Sequence, residues 1–198
     1  NAIDGSLKRL KLERIDLYQL HSPDSKVPFA DSVGALADAQ KAGKIRHVGV
    51  SNVTIAPLEE GGRICPIVSV QNEYNLGDRS SEPVLKACEK LGIAFLPWYP
   101  LGAGAVIKQE KVKSIARKLH ATGAQVALAW LLRKSPVMLP IPGTSSIEPS
   151  VDRQRWTVYV NLRTTPAGKR WSLSQPPWNT TPHVSWNTTC CPSYTSNP

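Results

Sequence analysis

Five side chains that can do chemistry stand where short apolar runs of the sequence end. They are His21, Ser51, Asn52, Gln71 and Trp98. An imidazole, a hydroxyl, two amides and an indole together offer hydrogen-bond donors, acceptors and a flat aromatic face. A neutral imidazole at a strand end can also donate to a developing oxyanion. Their common position predicts a functional site at the rim where βα proteins carry their chemistry.

The apolar runs themselves are typical of buried parallel strands. They are rich in Ile, Val and Leu and span residues 15–21, 45–52, 67–73, 93–98 and 137–144. Helix-like stretches cover residues 3–12, 29–42, a short segment from Pro57 onward, 81–91, 111–120 and 124–133. Because parallel strands need such crossovers, the alternation predicts a parallel sheet covered by helices.

Two architectures satisfy this alternation, an open doubly wound sheet and a closed barrel. A doubly wound dinucleotide-binding sheet carries a glycine-rich fingerprint after its first strand. No such fingerprint follows the first run, and Gly102-Ala103-Gly104 is only a fragment of one. The pattern therefore favours a barrel.

Composition excludes several classes of protein. The net charge is +9, but the basic residues are spread along helix faces, which indicates a solvated surface rather than a nucleic-acid site. A positive field also suits a cofactor that carries phosphates. No stretch approaches the roughly 20 apolar residues of a membrane span. The four cysteines show no metal-ligand spacing, so we expect no metal site and a reducing, cytoplasmic setting.

The chain changes character after residue 148. Residues 149–198 hold four of the six tryptophans and seven of the seventeen prolines, without a lasting helical or strand period. We expect one partial barrel domain over 1–148, followed by an aberrant or disordered tail. A reading-frame or exon-boundary error and a Trp/Pro-rich interaction segment are the two further interpretations of the tail.

Five motifs stand at the strand ends in a fixed order. They are IDLYQLHSPD from residue 15, KIRHVGVSN from 44, SVQNEYN from 69, PWYPLG from 97 and LPIPGTS from 139. In this order they resemble strands four to eight of the aldo-keto reductase barrel. The resemblance covers about residues 3–148 and implies an α/β (β/α)8 TIM barrel. That barrel would be incomplete here, with the first three βα units missing before Asn1.

The resemblance also implies roles for the residues at the rim. His21 would orient the substrate carbonyl, and Ser51, Asn52 and Gln71 would hold the nicotinamide carboxamide beneath a stacked Trp98. The loop beside the pyrophosphate would be Tyr99, Pro100, Leu101 and Gly102. The adenosine phosphate site would be Gly143, Thr144 and Ser145. Structural alternatives stay open: a satisfied core histidine for His21, a helix cap for Asn52 and a tie between strand ends for Gln71.

The implied activity is NADP(H)-dependent reduction of aldehyde or ketone carbonyls to alcohols, with small-molecule substrates and neither a nucleic-acid nor a membrane partner. The family's catalytic aspartate, tyrosine and lysine have no counterpart in this chain, so we expect the fragment to be inactive as it stands. The sequence departs from the family pattern after Ser146, so it remains open whether the protein prefers NADP or NAD. The alternatives are a non-catalytic nucleotide-binding regulatory subunit, resembling potassium-channel β subunits, and a non-functional truncated product.

Overall fold

A computed structural model describes residues 2–143 of the chain. The expected tail at 149–198, and the expected phosphate-site residues Thr144 and Ser145, lie outside these residues. The four strands are β1 (Ile15–Leu20), β2 (Ile45–Ser51), β3 (Ile67–Glu73) and β4 (Ala94–Trp98). The helices are α1 (Ala2–Leu10), α2 (Phe29–Lys41), α3 (Ile55–Ile64), α4 (Glu82–Leu91), α5 (Ala105–Lys108), α6 (Glu110–Lys118) and α7 (Gly123–Lys134), with a 3-10 turn at Gly102–Gly104 before α5.

The four strands form a parallel sheet in the simple order β1-β2-β3-β4. Crossovers between parallel strands are right-handed in nearly all proteins. When neighbouring strands follow one another in a single direction, these crossovers place their helices on one face of the sheet. A doubly wound sheet would reverse direction, and the described strands do not. The order therefore agrees with an arc of a barrel.

The fifth predicted strand, residues 137–144, is reduced to a single bridge. Met138 pairs in parallel with Phe95 of β4. The Phe95 amide donates to the Val137 carbonyl over 2.8 Å, and the Leu139 amide donates to the Phe95 carbonyl over 2.8 Å. Pro140 and Pro142 follow, and a proline has no N–H to continue the ladder. The position of the run was predicted correctly, but its length as a strand was wrong within the described residues.

The hydrophobic core lies on the helix-covered face of the sheet. Val48, Val50, Val70 and Phe95 are completely buried there. Helices contribute further buried side chains to the same cluster, among them Val33, Leu36, Leu58, Leu85, Leu128 and Leu131. Cys65 and Cys88 are buried free thiols, and burial raises the pKa of Cys88 to about 12. Both act as small apolar groups.

The opposite face of the sheet is polar where the strands meet. Gln19, Gly49 and Ser69 occupy paired positions on β1, β2 and β3. The Gln19 amide donates to the Ser69 hydroxyl over 3.0 Å. A Cβ atom at Gly49 would lie 2.3 Å from Ser69 Oγ and 2.8 Å from Gln19 Cγ, so only glycine fits between them. This layer of side chains lies just before the carboxyl ends of the strands, which form the rim.

The connection from β3 to α4 is held on α7 by a cluster of side chains around the buried Tyr74. The Tyr74 ring is completely buried and stacks on Trp130, with centroids 5.9 Å apart and planes 13° apart. Its hydroxyl donates to Glu82, which also pairs with Lys134 over 2.7 Å. Burial, assisted by the Glu82 carboxylate, raises the pKa of Tyr74. We call Tyr74, Glu82, Trp130 and Lys134 the α7 anchor.

Candidate functional site

The carboxyl ends of the four strands bring the predicted side chains to one rim. His21 is the first residue after β1, Ser51 ends β2, Asn52 follows it, and Trp98 ends β4. Gln71 lies in β3, two residues before its end. Because these strands are neighbours in a parallel sheet, their ends stand side by side. The structure thus assembles all five residues at the rim that the sequence predicted.

Asn52 joins the strand ends through its side chain. Its Nδ2 donates to the His21 carbonyl over 3.0 Å, and its Oδ1 accepts from Trp98 Nε1 over 3.0 Å. The backbone at Asn52 is left-handed, with φ of 57°, a conformation that asparagine tolerates better than most residues. The residue that precedes α3 is Thr54, so the alternative of a helix cap for Asn52 is wrong.

Ser51 and Gln71 contact one another in a way that separates their roles. The Ser51 hydroxyl, only 2% exposed, donates to the Gln71 carbonyl over 2.6 Å. The same carbonyl accepts a hydrogen bond from the backbone N–H of Asn52 over 3.0 Å. The strands are therefore tied by the backbone of Gln71, while its half-buried side-chain amide makes no hydrogen bond within residues 2–143. That amide is available to a ligand.

His21 presents its imidazole at the surface of the rim. The residue is exposed, so the alternative of a satisfied core histidine is wrong. Its carbonyl is held by Asn52, whereas its ring makes no hydrogen bond to any other residue that the structure describes. A fixed backbone with an unengaged ring is suited to binding a small polar group.

Trp98 and Tyr99 begin the loop that the sequence placed beside a pyrophosphate. Their rings lie 5.0 Å apart at an angle of 55°, and Tyr99 is exposed with φ of 52°. Pro100 is buried and Leu101 is half-buried. The Gly102 amide donates to the Tyr99 carbonyl over 2.8 Å, which closes a tight turn.

Gly102 is required at this turn for two reasons. Its φ is 55°, and an added Cβ would lie 2.9 Å from Val106 Cγ2. The helix that carries Val106, α5, was not predicted from the sequence. Gly143 is exposed at the end of the described residues, and no geometry connects it to this turn.

Two rim residues escaped the sequence analysis. Asn75 is 3% exposed, and its Oδ1 accepts from the Gly77 and Asp78 amides over 2.8 and 2.9 Å. The signal for it was the Asn-x-Gly-Asp turn pattern. Glu73 ends β3, and its Cα pairs with that of Trp98. It brings a carboxylate to the rim, and its place at the end of a strand that also contains Ser69, Gln71 and Asn72 gave no separate signal.

Two further features, a metal site and a membrane-spanning helix, were sought among the described residues. Among them, no group of three His, Cys, Asp or Glu side chains could hold a metal ion. None of the helices in that part of the chain has the length and apolar character needed to cross a membrane.

Comparison with known proteins gives a consistent result. The model of the Aldo/keto reductase family matches residues 1–150. An uncharacterized oxidoreductase of Schizosaccharomyces pombe is 48% identical over 144 residues, which cover 72% of this chain and 47% of that protein. Pyridoxine 4-dehydrogenase of Escherichia coli is 40% identical over 152 residues, covering 74% of this chain and 53% of the enzyme. The chain thus spans about half the length of these curated relatives.

A solved structure agrees with this match. The aldo-keto reductase of Klebsiella pneumoniae, crystallised in complex with NADPH, superimposes with a TM-score of 0.71 at 29% identity. The match covers 81% of this chain and 58% of the Klebsiella chain.

Proposed function

This chain belongs to the aldo/keto reductase family, and from that membership we propose that it forms the nicotinamide-binding side of an NADP(H)-dependent carbonyl reductase. The likeness to solved aldo-keto reductases implies an α/β TIM barrel, of which the described residues contain four parallel strands. The observation that carries the proposal is the convergence at one rim of the His21 ring, the free Gln71 amide and the Trp98 indole.

Within that barrel we assign β1 to β4 to strands four to seven, and the Met138 bridge to the start of strand eight. The consecutive order of the strands supports the assignment. The remaining three βα units would be supplied by chain that precedes Asn1. Along the sequence we keep the division into a barrel part, 1–148, and a second segment, 149–198.

The side chains at the rim fit a nicotinamide. Its carboxamide offers one acceptor and two donors, and the Gln71 amide provides the complementary donors and acceptor. Ser51 and Asn52 border the same position, each already bonded to a neighbouring strand. The indole face of Trp98 offers a stacking surface. When bound, NADP(H) supplies the hydride that the reaction requires.

The residues of this chain would act on the substrate through His21. A neutral imidazole N–H donates to the carbonyl oxygen, which orients the carbonyl and stabilises negative charge that develops there. The fixed His21 backbone limits the positions that the ring can take. Tyr99, Pro100, Leu101 and Gly102, and further along the chain Gly143, Thr144 and Ser145, would contact the phosphates.

Neither Tyr74 nor Tyr18 serves as the proton donor. Tyr74 is completely buried, and its hydroxyl already donates to Glu82. Tyr18 packs against the core on the helix-covered face. A general acid that donates the proton typically raises the rate of such a reaction roughly 10²- to 10⁴-fold. We therefore propose that the 198-residue chain binds the cofactor but does not turn over carbonyls at the rate of an intact reductase.

Titration of the protein with NADPH, followed by fluorescence, tests the binding site. We expect NADPH to quench tryptophan emission, and we expect Gln71→Ala to weaken binding about tenfold, as for the loss of a ligand hydrogen bond with its partner left unpaired. Gln109→Ala, at an exposed glutamine after α5, is the matched control and should bind as the unchanged protein does. Equal affinities for the Gln71 variant and the unchanged protein would contradict the assignment.

The substrate side of the proposal is a small aldehyde or ketone in a reducing, cytoplasmic setting, which the buried free thiols suit. Loss of NADPH absorbance on adding such a carbonyl measures turnover. Binding without turnover by a barrel that carries all eight strands would instead indicate the regulatory alternative.

A further inference from the structure

We propose that one face of α3 is an interface through which two copies of this chain associate about a twofold axis. This α3 face carries Glu59, Gly62 and Arg63, and it borders a groove of about 460 Å³. The groove is lined by apolar side chains and Gly62: Leu58, Gly62, Pro66, Ile67, Leu91 and Ile93. It lies at the amino ends of β3 and β4, opposite the rim, so the inference does not depend on the proposed function.

Two opposite charges stand at this groove without partners among residues 2–143. Glu59 and Arg63 are both exposed, and neither side chain makes an ion pair or a hydrogen bond in that part of the chain. They are four residues apart on one helix, so they lie on the same side and about 6 Å apart along its axis. When two such helices pack antiparallel about a twofold axis, Glu59 of each copy comes opposite Arg63 of the other. The α3 face is therefore complementary in charge to itself.

Gly62 allows a close approach at the centre of the α3 face. Its neighbour Gly61 faces the core, where an added Cβ would lie 3.3 Å from Phe29 Cε1. An added Cβ at Gly62 would meet no atom within 4 Å, so no contact in the described part of the chain requires a glycine there. Glycine destabilises a helix interior relative to alanine. A second helix that crosses at Gly62 accounts for it, because the side chains at a crossing set the distance between two helices.

Exposed apolar side chains surround the charged pair. Leu91 at the end of α4 is 56% exposed, and Ile55 and Ile64 at the two ends of α3 are each 38% exposed. In an antiparallel pair the first residue of one α3 lies beside the last residues of the other. Ile55 of one copy would thus enter the groove of its partner beside Leu91. Burial of these side chains favours association, while the two ion pairs select the register.

Sedimentation equilibrium of the 198-residue protein tests the association. We expect a monomer–dimer equilibrium with a dissociation constant of about 1–100 μM, as for a small interface. Arg63→Glu or Glu59→Arg alone should weaken the dimer at least about tenfold, because each places like charges opposite one another across the axis. Combining Glu59→Arg with Arg63→Glu exchanges the charges and restores both pairs, so the double variant should recover the dimer.

Gly62→Leu separates the interface from the fold. The new side chain meets nothing in the described part of the chain, so the variant should unfold at the same or a higher urea concentration than the unchanged protein. In the dimer the leucine would stand where two helices come closest, and we expect the dissociation constant to rise at least about tenfold. Gly34→Leu on α2, where an added Cβ also meets no atom within 4 Å, is the matched control and should leave association unchanged.

Three results would overturn the inference. A protein that stays monomeric up to about 1 mM would leave the groove to a partner of another kind. A dimer that tolerates Arg63→Glu and Gly62→Leu would use a different surface. A double charge variant that remains as weakly associated as the single variants would show that Glu59 and Arg63 do not face one another.

Discussion

Asn52 and Gln71 show how two side-chain amides at one rim differ in their hydrogen bonding. Asn52 follows β2 and Gln71 lies near the end of β3, and the resemblance assigned both to the same carboxamide. In the structure Asn52 is bonded to His21 and Trp98, while the Gln71 side chain makes no hydrogen bond to any residue between 2 and 143. The difference arises from the backbone, because the left-handed φ of Asn52 turns its side chain across the strand ends.

Gly49 gives a prediction at the same scale. A methyl group there would collide with Ser69 Oγ at 2.3 Å and Gln19 Cγ at 2.8 Å, both on neighbouring strands. We expect Gly49→Ala to lower the free energy of unfolding by about 1–3 kcal/mol, the usual cost of overpacking. Urea denaturation measures it.

Gly34 is the matched control for Gly49. It lies within α2, and an added Cβ would meet no atom within 4 Å. Gly34→Ala should therefore raise the free energy of unfolding by about 0.5–1 kcal/mol, because alanine favours the helix. If both variants changed stability in the same direction, the close packing at Gly49 would not be real.

At the scale of elements, the α7 anchor holds the β3–α4 connection, whose first residues stand at the rim. Asn75 shapes the turn that follows Tyr74, and its Oδ1 lies 3.7 Å from the position of a Cβ on Gly102. The loop after β4 thus packs on the loop after β3, and α7 supports the loop after β3 through Trp130 and Lys134. Stability of the anchor should therefore matter for the shape of the rim.

The charge of Glu82 makes the anchor dependent on pH. Burial alone would raise its pKa, but the bonds from Lys134 and Tyr74 outweigh burial and hold the pKa below the ordinary value of 4.5. A group with a lowered pKa in the folded state stabilises the fold above its unfolded value and loses that contribution as the pH falls. We expect the free energy of unfolding to decline as the pH drops below 4.5, and denaturation curves across that range measure it.

Lys134→Met should flatten this part of the pH profile. It removes a hydrogen bond to a charged group, so we expect a loss of about 1.5–3 kcal/mol at neutral pH. Lys41→Met is the control, because Lys41 pairs with Asp38 at 3.6 Å with both side chains about 80% exposed, and such pairs contribute little. An unchanged pH profile in Lys134→Met would show that Glu82 does not depend on its lysine.

At the scale of the whole molecule, the sequence predicted the strands and most helices for two reasons. Burial leaves a periodic pattern of apolar residues, and chain reversal leaves turn residues between the elements. The bounds of β1 to β4 agree with the predicted runs within one residue at each end. The run at 137–144 became a bridge because Pro140 and Pro142 interrupt hydrogen bonding, a local cost that an apolar count does not register. Helix α5 spans four residues, too few to show a period.

The candidate site was predictable in its location but not in its bonding. Parallel strands bring their carboxyl ends together, so His21, Ser51, Gln71 and Trp98 had to share a rim. Which amide stays free depends on contacts between strands that are distant in sequence, such as Asn52 with Trp98. Such contacts leave no pattern in a single sequence.

The most direct test is a crystal structure of the protein with NADP⁺ bound. We predict the nicotinamide ring against the Trp98 indole, its carboxamide within hydrogen-bond distance of the Gln71 side chain, and the His21 ring facing the open side of the nicotinamide. A nicotinamide bound away from the strand ends, or a dinucleotide that leaves Gln71 and Trp98 without contact, would contradict the account.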